Sequence, residues 1–482
     1  MKGILLAGNE IDTGIYKEIR SPGNFNLLID KVSFANKDTV KEAISCGVKG
    51  FERLSSMPLK DRAKIIYSAS ELIEKQKEDL SKLLSLESGK PIKDSRIEVM
   101  RSIYLFRASA EEARFVLEGK IHRVDAYDYP PGNENRLVLE KKEPIGIIAA
   151  ILPFNFPANS FAHKVAPNIM AGNSVIVKPS PYTPLTAIEM GKILYKAGLP
   201  KEALSVLPGN SEVGDQLINN DNISGITFTG STTTGITIAA KAIRKAKKLM
   251  LEMGGSDPII VLDDADIDNA INISVRARFE YAGQNCNAGK RIIVHERIYE
   301  KFVNSFVKKT ILLKTDDPLN ESTDLGPIIS NDALNKMEQF VLDAINKGGK
   351  LETGGKRINL PGYYFEPTVI SKASIDSFIM KEEVFGPIAP IISFSNDEEA
   401  INIANSTNYG LQAAIFSKDI KRSLKIAEKL RVGGVMINDS PRLRWDSLPF
   451  GGVKLSGIGG REGIRSTIET MTETKIISIN LL

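Results

Sequence analysis

Gly146-Ile-Ile-Ala-Ala-Ile-Leu-Pro-Phe-Asn-Phe-Pro157 is a short, continuous apolar run that stops at a proline-bounded turn. An apolar run of this length without polar alternation is what a strand buried on both faces of a sheet carries. The pattern then predicts a helix over 158–171, a strand over 173–177, a helix over 184–197 and a strand near 203–207. A helix over 212–219, a strand over 225–228, a helix over 232–242 and a short strand over 248–252 continue the rhythm. Strands and helices alternating this closely predict a parallel, doubly wound sheet, whose ligands bind beyond the carboxyl ends of the strands.

Downstream of Pro258 the theme repeats. Strands are expected at 259–262, 291–295, near 363–369 and at 391–394, with helices at 267–281, 299–312, 331–347 and 418–430. The chain therefore reads as two α/β domains meeting near Gly254-Gly255. Upstream, residues 37–116 carry helical periodicity, including one helix over 60–86 that Gly89 and Pro91 separate from the next. The first residues read as a strand. The stretch 123–136, with Pro130, Pro131 and Gly132, reads as an excursion from the core, and the tail 473–482 alternates like an edge strand.

Composition narrows the class of partner. With 63 Lys and Arg against 59 Asp and Glu the net charge is only +4, and no polybasic arm exists, so neither nucleic acid nor a membrane surface is indicated. No stretch approaches the roughly 18 apolar residues of a membrane span. Two cysteines form no disulfide framework, which points to a reducing cytoplasm. Three histidines, His122, His163 and His295, show no metal-ligand spacing and read as packing or surface residues, so no metal is expected.

Cys46 lies in a helical pattern and reads as structural. Cys286 differs: in Tyr281-Ala-Gly-Gln-Asn-Cys-Asn-Ala-Gly289 its small neighbours leave the sulfur approachable. Other short runs fall in a fixed order around it. They are Pro153–Pro157, Val177-Lys-Pro-Ser180, Phe228-Thr-Gly-Ser231, Leu251-Glu-Met-Gly-Gly255, Glu382-Glu-Val-Phe-Gly-Pro387 and Pro449-Phe-Gly-Gly-Val-Lys454. In this order and spacing the chain resembles the NAD(P)-dependent aldehyde dehydrogenase superfamily over essentially its whole length, in particular its lactaldehyde, succinate-semialdehyde and non-phosphorylating glyceraldehyde-3-phosphate members.

The resemblance implies an α/β aldehyde dehydrogenase fold. A Rossmann-like cofactor domain would span residues 1–121 and 144–254, an α/β catalytic domain 255–462, and a small β oligomerisation arm 122–143 and 463–482. It implies Cys286 as nucleophile, Asn155 as oxyanion-hole donor and Glu252 as general base, the last in an apolar setting that raises a carboxylate pKa. It implies Lys178 and Ser180 on the adenosine ribose side, Gly230 and Ser231 at a helix N-terminus that takes pyrophosphate, and Glu383, Phe385 and Phe154 around the nicotinamide. The run Gly230-Ser-Thr-Thr-Thr-Gly235 is not the usual dinucleotide fingerprint, and this family does not use one.

Departures from the family pattern carry information. Phe154 stands where many relatives have tryptophan. Pro181 stands where NAD-preferring relatives commonly have glutamate, so NADP is expected to be accepted and preferred over NAD. The loop after Asn438 holds Arg442 and Arg444, which match a carboxylate or phosphate bidentately, with Arg107 and Arg278 as further candidates. The expected reaction is oxidation of a small polar or anionic aldehyde (a semialdehyde, lactaldehyde or glyceraldehyde) to its acid by a homodimer or homotetramer. A CoA-acylating enzyme is the nearest alternative, disfavoured by Glu252, whose base chemistry hydrolyses the thioester that CoA would take. A non-catalytic protein on the same fold is the remaining one.

Overall fold

The computed structural model describes residues 1–482. Its first sheet has eight strands, in the order Gly457–Gly459, Lys248–Glu252, Ile223–Thr229, Ile147–Ile151, Ser174–Lys178, Leu204–Val206, Ile4–Leu6 and Asn9–Ile11. The five central strands are parallel, and the strands beyond them are antiparallel. Ile147–Ile151 and Ser174–Lys178 are buried throughout, as their apolar sequences require. After Ile147–Ile151 the chain builds toward one edge, then returns to place Ile223–Thr229 on its other side. That reversal opens a crevice at the carboxyl ends of these strands.

The second sheet has seven strands, and Asp257–Val261, Gly289–His295, Ile388–Phe394, Gln412–Phe416 and Gly434–Ile437 run parallel in it. The chain passes from one sheet to the other between Glu252 and Asp257. A third, three-stranded sheet pairs Thr472–Asn480 with Arg136–Pro144, and that strand with Lys120–His122. Between tail and core, helix Ile464–Thr470 contributes Ile464 and Ile468 to the first unit's core, so the tail's strand begins only at Thr472.

Several expectations need correction. The helix expected over 60–86 is two, Leu59–Lys75 and Lys77–Ser88, broken at Gln76 where φ is −106° and ψ 15°. The helix expected to reach Tyr281 ends at Phe279, because Glu280 is extended and Tyr281 left-handed. The strand expected near 363–369 begins at Thr368. The hairpin Tyr16–Ser21 with Asn24–Ser33, the strands Gln412–Phe416, Gly434–Ile437 and Gly457–Gly459, and the helix Asp397–Asn405 were not anticipated.

Two helices lead to the crevice, and both lack a local N-cap. Pro157–Ala171 and Pro184–Lys196 start with proline at the first turn, and neither flanking residue caps them with its side chain. Buried carboxylates from the preceding helices do so instead. Glu98 accepts from the N–H groups of Ala158 (3.0 Å) and Asn159 (3.2 Å), and Glu87 from those of Leu185 and Thr186 (2.9 Å each). Glu98 also pairs with the buried Lys90, whose Nζ donates to the Asn155 carbonyl at 2.8 Å. One carboxylate thus holds both the helix and the turn before it. Glu98→Gln strands a buried ammonium and is expected to lower unfolding free energy by about 3–5 kcal/mol. Chemical denaturation checks this, and an unchanged midpoint contradicts it.

Candidate active site

The segment Tyr281–Ala288 leads into strand Gly289–His295 of the second sheet and faces the carboxyl edge of the first. Tyr281, Ala282 and Gly283 have φ of 53°, 51° and 70°, three left-handed residues in succession. A β-carbon on Gly283 would lie 2.5 Å from the Gly386 carbonyl oxygen, so glycine is required there. Gln284 locks the turn, donating to Pro327 O (3.1 Å) and accepting from the Ile329 N–H (2.9 Å).

This turn sets Cys286 where two cavities meet. Burial, then Glu252, pushes its thiol well above the ordinary cysteine value, against the opposing pull of Lys290. Glu252 ends strand Lys248–Glu252 and is almost fully buried, with no hydrogen-bond partner on Oε1. Burial first, and Glu462 second, raise its carboxyl to about 8. Asn155 donates one Nδ2 hydrogen to the Gln284 carbonyl (2.9 Å), leaving the second free at the cavity wall. The Cys286 N–H donates to no other group of the chain. A thiol, a raised-pKa carboxylate and two free N–H donors therefore converge.

On one side of Cys286 a cavity of about 570 Å³ is lined by Phe154, Ser180, Gly230, Ser231, Glu383 and Phe385, among others. Phe154 and Phe385 stand 5.8 Å apart, nearly perpendicular. Glu383 accepts from the Gly255 N–H (3.0 Å) and Lys290 Nζ (3.2 Å). The groove continues past the N-terminus of helix Thr232–Ala242, capped by Ser231, into a second cavity lined by Lys178 and Pro181. Burial, and then Lys17, lower Lys178 to about 8. A helix N-terminus midway, a lysine at one end and the thiol at the other fit a dinucleotide with its pyrophosphate on the helix.

On the other side lies a small polar cavity of about 60 Å³. Arg442 and Arg444 line it, but each is already engaged: Arg442 pairs with Glu280, and Arg444 Nη2 lies 3.0 Å from Glu462. Arg107 and Arg278 are elsewhere. Arg107 pairs with Glu74 (2.5 Å) between two outer helices. Arg278 is fully buried and donates to the carbonyls of Ile388 (2.6 Å), Val384 and Gly386, tying the helix before Cys286 to the Glu383–Phe385 loop. Arg101 was missed; it lines the cavity and pairs with Asp446 at 2.7 Å. Its signal was the stripe Asp94, Glu98, Arg101, one face at helical spacing. His163, read as a packing histidine, is buried on Asp446 (3.1 Å) and Arg444 (3.3 Å).

The chain matches the aldehyde dehydrogenase family over residues 17–477. It is 43% identical over 458 residues to the lactaldehyde dehydrogenase of Methanocaldococcus jannaschii, covering 94% of this chain and 95% of that one. It is 39% identical over 481 residues to the mitochondrial succinate-semialdehyde dehydrogenase of Oryza sativa, covering 99% and 89%. Among solved structures, the glyceraldehyde-3-phosphate dehydrogenase GapN of M. jannaschii, complexed with NADP, superimposes with a TM-score of 0.89 at 41% identity, covering 96% and 99%.

A base that is mostly protonated at neutral pH gives a defined profile. Because the folded pKa of Glu252 is raised, its ionised fraction grows as pH rises through about 8. Turnover is expected to climb through that value, and Glu252→Gln to remove the limb along with most activity. A profile flat from pH 6 to 9 contradicts the assignment.

Proposed function

The chain belongs to the aldehyde dehydrogenase family, and we propose that it oxidises a small polar or anionic aldehyde to the carboxylic acid with Cys286 as nucleophile. The observation that carries this reading is that Cys286 lines both the dinucleotide-shaped groove and the small polar cavity, with Glu252 and Asn155 beside it. The Cys286 thiol loses its proton to solvent, and its sulfur adds to the aldehyde carbon. The resulting oxyanion accepts hydrogen bonds from Asn155 Nδ2 and the Cys286 N–H. A bound nicotinamide cofactor supplies the acceptor for the hydride. Glu252 then removes a proton from the water that attacks the Cys286 thioester, and the acid leaves. Acid formation without CoA separates this from the acylating alternative.

For the cofactor, Glu383 and the facing rings of Phe154 and Phe385 hold the nicotinamide end, Gly230 and Ser231 the pyrophosphate, and Lys178 with Ser180 the adenosine end. NADP is the preferred form. Pro181 leaves no carboxylate to repel a 2′-phosphate, and Lys17 adds positive potential beside Lys178. The ratio of kcat/KM with NADP to that with NAD is expected to exceed one, and Pro181→Glu to reverse it by about tenfold. A wild-type preference for NAD overturns it.

The three-stranded sheet is proposed as the arm of a homodimer or homotetramer, since Ile121, Ile476 and Ile479 are 69%, 56% and 41% exposed on it. Light scattering tests this, and a monomer at micromolar concentration contradicts it. No helix is long and apolar enough to cross a membrane. The free thiols of Cys46 and Cys286 suit a reducing cytoplasm.

A further inference from the structure

Resting on the reading of Cys286 as the nucleophile of an aldehyde oxidation, we infer that Lys290 is a positioning residue for that reaction. Its buried ammonium fixes the Cys286 peptide, ties it to Glu383 and supplies the positive field at the sulfur.

The first ground is placement. Lys290 stands in Gly289–His295, a strand buried along its whole length, and its side chain has no exposure. An ammonium in such a place is costly unless its hydrogen bonds are met. Its Nζ donates to the Cys286 carbonyl and, at 3.2 Å, to Glu383 Oε1. Both partners belong to residues that line cavities: Cys286 lines the two that meet at the sulfur, and Glu383 lines the larger groove. Lys290 lines neither of them, so it acts through the residues it holds. The backbone makes room for this contact. A β-carbon on Gly255 would lie 2.6 Å from the Cys286 carbonyl oxygen, and one on Gly254 would overlap the Glu383 carboxylate.

The second ground is charge. No histidine bonds Cys286: His122 bonds Glu140, His163 bonds Asp446 and Arg444, and His295 accepts from the Arg297 N–H. Burial and then Glu252 push the thiol up, Asp257 from the adjoining strand and Glu383 from its loop add to this, and Lys290 opposes them. Arg442 also faces the sulfur, from the loop after Asn438, but is paired with Glu280. Asp257 does not cancel Lys290, because burial raises its carboxyl to about 8 and leaves it mostly protonated at neutral pH. Glu383 is the ion-pair partner of Lys290. The field at the sulfur therefore depends on the carboxylate proposed above to hold the nicotinamide end of the groove.

The test is the pH dependence of Cys286 alkylation by iodoacetamide, followed by intact mass and peptide mapping, in the wild-type protein and two variants. Lys290→Met removes both the donors and the charge, whereas Lys290→Gln keeps a donor and removes the charge. In both, the Cys286 midpoint is expected to rise by about one pH unit, so that its alkylation near neutral pH slows about tenfold. Cys46 in the same molecules should keep its rate. A Cys286 midpoint unmoved in the folded variants, or a shift that Cys46 shares, overturns the inference while leaving the oxidation reading in place. If neither lysine variant folds, Glu383→Gln decides. With its counterion gone, Lys290 should lower the Cys286 midpoint, and an unchanged or higher one overturns the inference. Wild-type protein that oxidises none of glyceraldehyde, succinate semialdehyde and acetaldehyde with NADP or NAD overturns the oxidation reading itself, whatever the alkylation shows.

Discussion

The site depends on a backbone that is held against its own preference. Tyr281 and Ala282 have φ of 53° and 51°, a conformation that costs an L-residue roughly 1–2 kcal/mol. Such a turn persists only where its surroundings over-determine it. Here Tyr281 is fully buried and donates from its hydroxyl to Ser88 O at 2.8 Å, and the Lys90 ammonium lies 4.6 Å from its ring centroid. Gly283 presses on the Gly386 carbonyl, and Arg278 binds that same oxygen from the other side. The strain is spent on direction. The chain reverses abruptly after the helix Ile267–Phe279 and delivers the Cys286 sulfur to the boundary between two cavities instead of into a core.

Charge is then distributed unevenly across that boundary. On the side of the larger groove the carboxylate of Glu383 is tied to Lys290 and the Gly255 N–H. On the side of the small polar cavity, charges are dense but paired. Glu252 lies between the two regions and shares in neither arrangement. Lys164 bonds Glu462 rather than Glu252, so Glu462 is stabilised as an anion and its charge in turn disfavours ionisation of Glu252. Two buried carboxylates are thereby pushed in opposite directions, Glu462 held ionised and Glu252 raised to about 8.

Much of this was visible in the chain, for physical reasons. Strands buried on both faces, such as Ile147–Ile151 and Ser174–Lys178, must be continuously apolar, and a doubly wound sheet places whatever follows them at its crevice. Lys178 and Glu252 stand at strand ends for that reason, whereas Asn155 and Gly230 were marked by the family resemblance. Edge elements were hidden for the converse reason. The hairpin Tyr16–Ser33 is largely solvent-facing and shows no clean apolar face, and Gly457–Gly459 is three residues with two glycines. The break at Gln76 carries no glycine or proline to announce it.

The pairings were invisible altogether. An arginine's sequence neighbours do not say whether a carboxylate waits for it across the fold, and Lys164 and Glu462 are separated by 298 positions. Arg442 and Arg444 line the small cavity. Arg442 pairs with Glu280 and Arg444 with Glu462 across the fold. Arg278 was misread as a candidate, because a buried arginine satisfied by carbonyls looks the same in sequence as one that binds substrate.

If Cys286 carries the acyl group and Glu252 releases it, replacing Glu252 traps the acylated protein. The most direct measurement is the intact mass of the Glu252→Gln protein after mixing with glyceraldehyde and NADP, followed by peptide mapping. An acyl adduct is expected to accumulate on Cys286, to be absent when the cofactor is left out, and to be discharged by hydroxylamine. No adduct despite aldehyde-dependent reduction of the cofactor, or an adduct mapped to another residue, would contradict it.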